Sequence, residues 1–202
     1  MVFKRPDAST YVPLNATLGF KASPVNGLWF NVFGGYRISK DELFCNLVDA
    51  DGYYFTHFLQ DKAKTAYGGA ELKYGYKDWF DASLKGTFYS WKTDNENEEL
   101  YLVTKPKFEL NFYAEAKVFE GLKVNLGYEY VQRKEYVIEE GNSSKDFGLG
   151  NISNLSVGAS YTFLKDLSVF GRVNNLLNKQ YYYEYGYPAE KLNVLAGLSL
   201  AF

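Results

Sequence analysis

The sequence predicts an all-β chain: an antiparallel, up-and-down segment of a transmembrane β-barrel, about 9 to 10 strands long, with short periplasmic turns and long extracellular loops. Three observations carry this expectation. Apolar and polar residues alternate in run after run from residue 11 to the end, which is the period a strand imposes. The runs are about 9 to 13 residues long, against a usual five or six in globular proteins, and match what a tilted strand needs to cross a bilayer. The connections between them alternate strictly between tight turns and long loops, the pattern of outer-membrane barrels.

Residues 1–10 are expected to form a stub or partial strand, since Val2 to Lys4 reads as extended and Pro6 interrupts it. Residues 11–202 are expected to form the barrel wall. In Tyr11 to Ser23 the apolar set is Val12, Leu14, Ala16, Leu18, Phe20 and Ala22, and the turn Pro24-Val25-Asn26-Gly27 follows. Leu28 to Ser39 then places Phe30, Val32, Tyr36 and Ile38 opposite Asn31, Arg37 and Ser39, completing a hairpin. The next two hairpins turn at Lys77-Asp78 and Glu120-Gly121, and the fourth at Lys165-Asp166. A ninth strand, with Leu192, Val194, Ala196, Leu198, Leu200 and Phe202 on one face, ends the chain. Even positions should face lipid in the first six strands and the last, and odd positions in the seventh and eighth. The long loops are expected at about 40–62, 92–105, 134–151 and 175–190.

Composition narrows the function classes. Among 202 residues, 47% are apolar and 19% aromatic, a profile that favours strands. A net charge of −2 without a Lys/Arg cluster argues against nucleic acid as a partner. No apolar run is long enough for a membrane-spanning helix, which leaves a strand-built wall open because its polar face lowers the mean hydropathy. The stretch after Met1 lacks the apolar core and cleavage site of a signal peptide, so the chain is expected to be mature, trimmed or a fragment. Nine alternating strands put the two ends on opposite sides of the membrane, so at least one strand is expected to be missing from a closed barrel.

The stretch Leu167-Ser168-Val169-Phe170-Gly171-Arg172-Val173-Asn174-Asn175-Leu176-Leu177-Asn178-Lys179-Gln180-Tyr181, followed by Tyr187-Pro188 and a strand ending in Phe202, resembles the closing segment of TonB-dependent outer-membrane receptors. The motif residues are Asn175, Leu176, Leu177, Asn178, Lys179 and Tyr181. Where the family often has Gly-Arg before the last strand, Glu190-Lys191 stand here. The resemblance implies the C-terminal portion of a larger barrel, located in the cell outer membrane of a Gram-negative bacterium. It implies import of a scarce ligand such as a metal chelate, cobalamin or a glycan. Its partners would be the lipid bilayer, upstream strands and a plug domain of the same receptor, the barrel assembly machinery, and TonB only through a missing N-terminal part. Phe202 would be the assembly signal as well as a lipid-facing residue. The alternative is a small self-contained outer-membrane barrel of about ten strands with a structural or adhesive role; a soluble all-β binding module is a third class.

Tyr181, Tyr182, Tyr183, Tyr185 and Tyr187 are candidate ligand contacts, since Tyr offers rigid amphipathic surface. An aromatic girdle or loop-packing cluster is the plainer and favoured explanation of the same residues. Asn175 and Asn178 suit turn chemistry. Asp49-Ala50-Asp51-Gly52 opens like a calcium loop but lacks the further ligands. Cys45 and His57 share one predicted loop, too few residues for a zinc site or a catalytic pair with its orienting partner. No catalytic residue, metal site or cofactor is expected.

Overall fold

The computed structural model describes residues 9–47, 55–94, 98–134, 137–140, 143–146, 149–165, 167–184 and 187–200. Its elements are β1 (Tyr11–Val25), β2 (Leu28–Leu47), β3 (Phe55–Tyr76), β4 (Phe80–Thr93), α1 (Glu98–Val103), β5 (Pro106–Phe119) and β6 (Leu122–Arg133). They continue with β7 (Val137–Glu140), β8 (Ser143–Asp146), β9 (Ile152–Leu164), β10 (Leu167–Asn174), β11 (Tyr182–Glu184), β12 (Tyr187–Pro188) and β13 (Asn193–Leu200). Nine of these form one antiparallel sheet in the order β1-β2-β3-β4-β5-β6-β9-β10-β13, each strand beside its neighbour in sequence. Apart from the strands set in loops, this is the up-and-down wall that the alternation predicts.

Register gives each face its solvent. Cα partners lie directly opposite one another and share a face, so one row can be followed through Ala22, Phe30, Leu72, Leu84, Phe112, Tyr128 and Leu155. The adjacent row, one residue along, reads Lys21, Asn31, Glu71, Lys85, Asn111, Glu129 and Asn154. Leu126, Val157, Val173 and Val194 continue the apolar face into the last strands. A single-layer sheet has no second sheet to bury this face, and Leu18 (83% exposed), Phe20 (64%) and Leu198 (72%) stand free. Contiguous apolar surface of this extent requires a non-aqueous neighbour.

The tight turns need backbone that few residues tolerate. Gly27 (φ 81°) and Gly121 (φ 85°) adopt the left-handed region, and a Cβ on Gly27 would sit 2.0 Å from the Gly75 carbonyl oxygen. The neighbouring hairpin reads the same close approach: Gly75 N–H donates to Gly27 O at 2.8 Å.

The long loops depart from expectation. The connection expected over 40–62 is largely strand, because β2 continues to Leu47 and β3 begins at Phe55. The backbone ladder runs on from Lys40↔Lys62 to Leu47↔Phe55 without any apolar alternation to mark it. The 92–105 connection contains α1, the 134–151 connection the β7–β8 hairpin, and the 175–190 connection the β11–β12 pair. Both clusters of buried apolar side chains lie at this loop end: Phe44, Ala63, Tyr101, Leu102 and Val103 in one, and Val131, Ile152 and Tyr181 in the other. Residues 1–8, the Asp49-to-Gly52 stretch, Asp166 of the expected fourth turn, Tyr185 and Phe202 lie outside the described residues. Cys45 and His57 are paired in register across β2 and β3.

Candidate functional site: the polar face and its loop-end rim

The last loop closes over the polar face through Asn175. Its left-handed backbone (φ 49°) turns the chain out of β10, and its side chain is buried at 1% exposure. The amide donates to the carbonyls of Lys179 (2.8 Å) and Glu190 (3.0 Å), and its oxygen accepts from Lys179 N–H (3.2 Å). Asn154 Oδ1 accepts from the Asn175 N–H at 3.1 Å. One side chain therefore ties both ends of the loop to the sheet. Asn178, also left-handed (φ 51°), accepts from Leu192 N–H at 3.2 Å. These are the roles that short amide side chains perform in turns. Leu176 and Leu177 project outward, 44% and 42% exposed.

The tyrosines divide by role. Tyr181 is 5% exposed and packs with Val131 and Ile152, its ring 5.6 Å from that of Tyr183. Tyr183 donates its phenol hydrogen to Glu129 Oε2 at 3.0 Å. Burial, with the Glu129 hydrogen bond and charge behind it, pushes the Tyr183 phenol well above its ordinary range, so it remains a donor. The Tyr182 carbonyl accepts from Arg133, and Tyr187 is exposed at 72%. Between them lies an open cavity of about 480 Å³ lined by Asn154, Asn174, Tyr183, Tyr187, Glu190 and Asn193 among others. The wall residues Asn154, Asn174 and Asn193 belong to the polar face by register, so the cavity opens on that face of the sheet. Its chemistry is amide, phenol and carboxylate.

A second cluster was not legible from the sequence. Glu42 accepts from Lys105 Nζ (2.7 Å), Tyr101 Oη (3.0 Å) and Ser39 Oγ (2.9 Å). The Lys105 ammonium lies 4.4 Å over the Tyr101 ring and 5.4 Å over that of Trp91. Burial and the adjacent Glu42 charge raise the Tyr101 phenol far above its usual range. These contacts dock α1 onto the polar face of β2, β3 and β4. From there an aromatic strip descends the same face through Trp91, Tyr89 and Tyr67, with centroids 5.9 Å and 6.3 Å apart. Tyr89 donates to Glu109 at 2.8 Å, and Tyr67 shares a 2.6 Å hydrogen bond with Thr17. The residue types were visible, but their meeting depends on a helix folding back across three strands. Among the described residues, no group of three or more His, Cys, Asp or Glu side chains is placed to hold a metal ion.

No family profile matches the chain, and no curated protein matches it in sequence. Solved structures match it in shape. The pyoverdine outer membrane receptor FpvA from Pseudomonas aeruginosa PAO1 superposes with a TM-score of 0.69 at 16% identity, over 93% of this chain and 29% of its own. The siderophore receptor PirA from Acinetobacter baumannii gives 0.67 at 16% identity, over 93% and 31%. The copper transporter OprC gives 0.65 at 14% identity, over 93% and 32%. The chain thus spans about three tenths of the length of these proteins. It has the fold of a stretch of barrel wall from TonB-dependent outer-membrane receptors.

Proposed function

We propose that this chain is the C-terminal portion of the barrel of a TonB-dependent receptor in the outer membrane of a Gram-negative bacterium, and that the whole protein imports a scarce ligand such as a metal chelate, cobalamin or a glycan. The observation that carries the reading is the pair of register-locked faces: one apolar across all nine strands, the other charged and hydrogen-bonded. A wall between lipid and an aqueous interior requires that division. The closing motif and the likeness to FpvA, PirA and OprC support the receptor class.

On this reading residues 11–202 are wall and residues 1–10 an N-terminal stub or partial strand. The interior would be filled by a plug domain of the same polypeptide, through which TonB acts, and Phe202 would serve the barrel assembly machinery. Tyr183 and Tyr187 are the tyrosines best placed to meet a ligand, since both border the polar-face cavity and are exposed, whereas Tyr181, which also lines it, is almost fully buried. Tyr182 and Tyr185 complete the candidate set.

Among the described residues β1 and β13 each pair on one side only. Unpaired backbone groups in hydrocarbon cost several kcal/mol each, so such an edge needs a partner strand. Residues 1–202 produced alone and purified in detergent are expected to self-associate or aggregate and to give no discrete planar-bilayer conductance. A monodisperse, heat-modifiable, protease-resistant monomer would overturn the reading in favour of a small closed barrel.

A further inference from the structure

The cavity under the last loop has a chemistry that separates one ligand class from the others. Its two open rings come from paired strands, Tyr183 on β11 and Tyr187 on β12, and are 49% and 72% exposed. The wall side is amide. Asn174 and Asn193 lie directly opposite one another on β10 and β13, and Asn174 Nδ2 donates to Asn193 Oδ1 at 2.9 Å. Asn193 Nδ2 donates onward to Glu190 Oε2 at 2.8 Å. Each amide has two N–H donors and an oxygen with two acceptor positions, so this chain leaves capacity at every member. Among the described residues Asn174 keeps its oxygen and one N–H, Asn193 one N–H, and Glu190 its second oxygen. A ligand hydroxyl, which both donates and accepts, can be met at each of these points.

Charge then decides the class. Glu184 and Glu190 line the cavity, Glu129 holds the Tyr183 phenol, and among the described residues no Lys or Arg lines it. Arg133 turns its guanidinium to the Tyr182 carbonyl instead. An anionic metal chelate entering here would give up hydration without a cationic partner and would face two carboxylates, the costly case for a buried charge. A cation gains little, because Glu190 Oε2 already accepts from Asn193 and Glu184 is exposed to solvent. A saccharide satisfies every part. Its hydroxyls match the amides and the remaining Glu190 oxygen, and the C–H face of a sugar ring packs on a phenol ring that loses little freedom on binding. The volume of about 480 Å³ lies within the range of small-ligand pockets, about 300 to 1,000 Å³.

We propose that this cavity holds one end of an uncharged oligosaccharide, with Tyr187 as the stacking platform and Asn174, Asn193 and Glu190 as hydroxyl partners, and that it turns away anionic metal chelates. The inference rests on the chain being receptor wall, and it narrows the imported ligand to the glycan class.

The test uses the full polypeptide that carries this chain, purified in mild detergent and immobilised. The probes are neutral hexasaccharides of gluco, galacto and manno configuration, their uronic-acid and amino-sugar counterparts, ferric citrate and a ferric tricatecholate. Wild-type protein is expected to bind at least one neutral hexasaccharide and none of the charged probes. Tyr187→Ala should weaken that binding by about 3- to 10-fold, the worth of one aromatic contact, and Tyr187→Phe should preserve it because the ring remains. Lys165→Gln at the turn end should change nothing. A charged probe bound as tightly as, or in place of, every neutral one would overturn the inference, as would no binding of any neutral hexasaccharide; neither outcome depends on a variant folding. Undiminished binding in Tyr187→Ala would put the site elsewhere and defeat it equally. The receptor reading fails by a different measurement, the recovery of residues 1–202 alone as a closed, monodisperse monomer.

Discussion

The phenol of Tyr183 donates to Glu129 Oε2 at 3.0 Å across a sequence separation of 54 residues, and so fastens the last loop to the polar face of β6. Removing the hydroxyl with Tyr183→Phe leaves the ring packing against Tyr181 and strands one carboxylate oxygen without its donor. A loss of about 1.5 to 3 kcal/mol in local stability is expected, as for hydrogen bonds to charged groups. Hydrogen exchange should show it as faster amide exchange confined to the segment between Asn175 and Leu192. Unchanged protection there would mean the bond does not hold the loop.

Asn175 should be less replaceable than any tyrosine beside it. Asn175→Ala removes the bonds to Lys179 and Glu190 from a side chain that is 1% exposed and leaves a Cβ residue at φ 49°. Two unmet carbonyls and one unmet N–H imply a cost of about 2 to 4 kcal/mol. Asn175→Gly relieves only the backbone, so it should recover a minor part. Denaturant melts of the assembled protein distinguish the two; full recovery by Gly would show that φ, and not the amide, matters.

The two faces should respond oppositely to charge. Leu126→Arg and Leu198→Arg place a guanidinium among apolar rows and should cost about 2 to 4 kcal/mol where they fall near the bilayer midplane. Asn111→Arg, between Lys85 and Glu129 on the polar face, should be nearly neutral. Folding titrations into lipid vesicles measure the difference, and equal costs on both faces would contradict the assignment.

Glu42 is the shared acceptor that holds α1. Glu42→Gln weakens the pairing with Lys105 and should loosen the helix without altering the sheet. Partly buried charge-assisted contacts of this kind are worth about 1.5 to 3 kcal/mol. Protease cleavage within Glu98 to Val103 should accelerate while β-sheet circular dichroism is unchanged. If cleavage stays at the wild-type rate, packing of Tyr101 and Val103 alone secures the helix.

The choice of residues for any such experiment has to respect the turns. A label at Gly121 would place a Cβ 2.4 Å from the Thr162 carbonyl, so turn-side accessibility is better probed at the neighbouring Glu120.

The sequence by itself determined the sheet, its nine main strands, the tight turns at Gly27, Lys77 and Gly121 and the division into two faces. Side chains alternate with period 2 along any strand, so a wall with lipid on one side writes its geometry directly into the order of residues. Asn175 and Asn178 were legible for a related reason, because left-handed turns admit few residue types. What the sequence left open lies at the loop end of the sheet. There β2 and β3 continue through Lys40-Asp41-Glu42 without apolar alternation, and α1 and the β11–β12 pair are placed by distant partners. Tertiary structure alone decided that Glu42 meets Lys105 and Tyr101 across about 60 residues of chain, and that Tyr181 is buried while Tyr187 is not. Each depends on register between strands, which local sequence pattern does not encode.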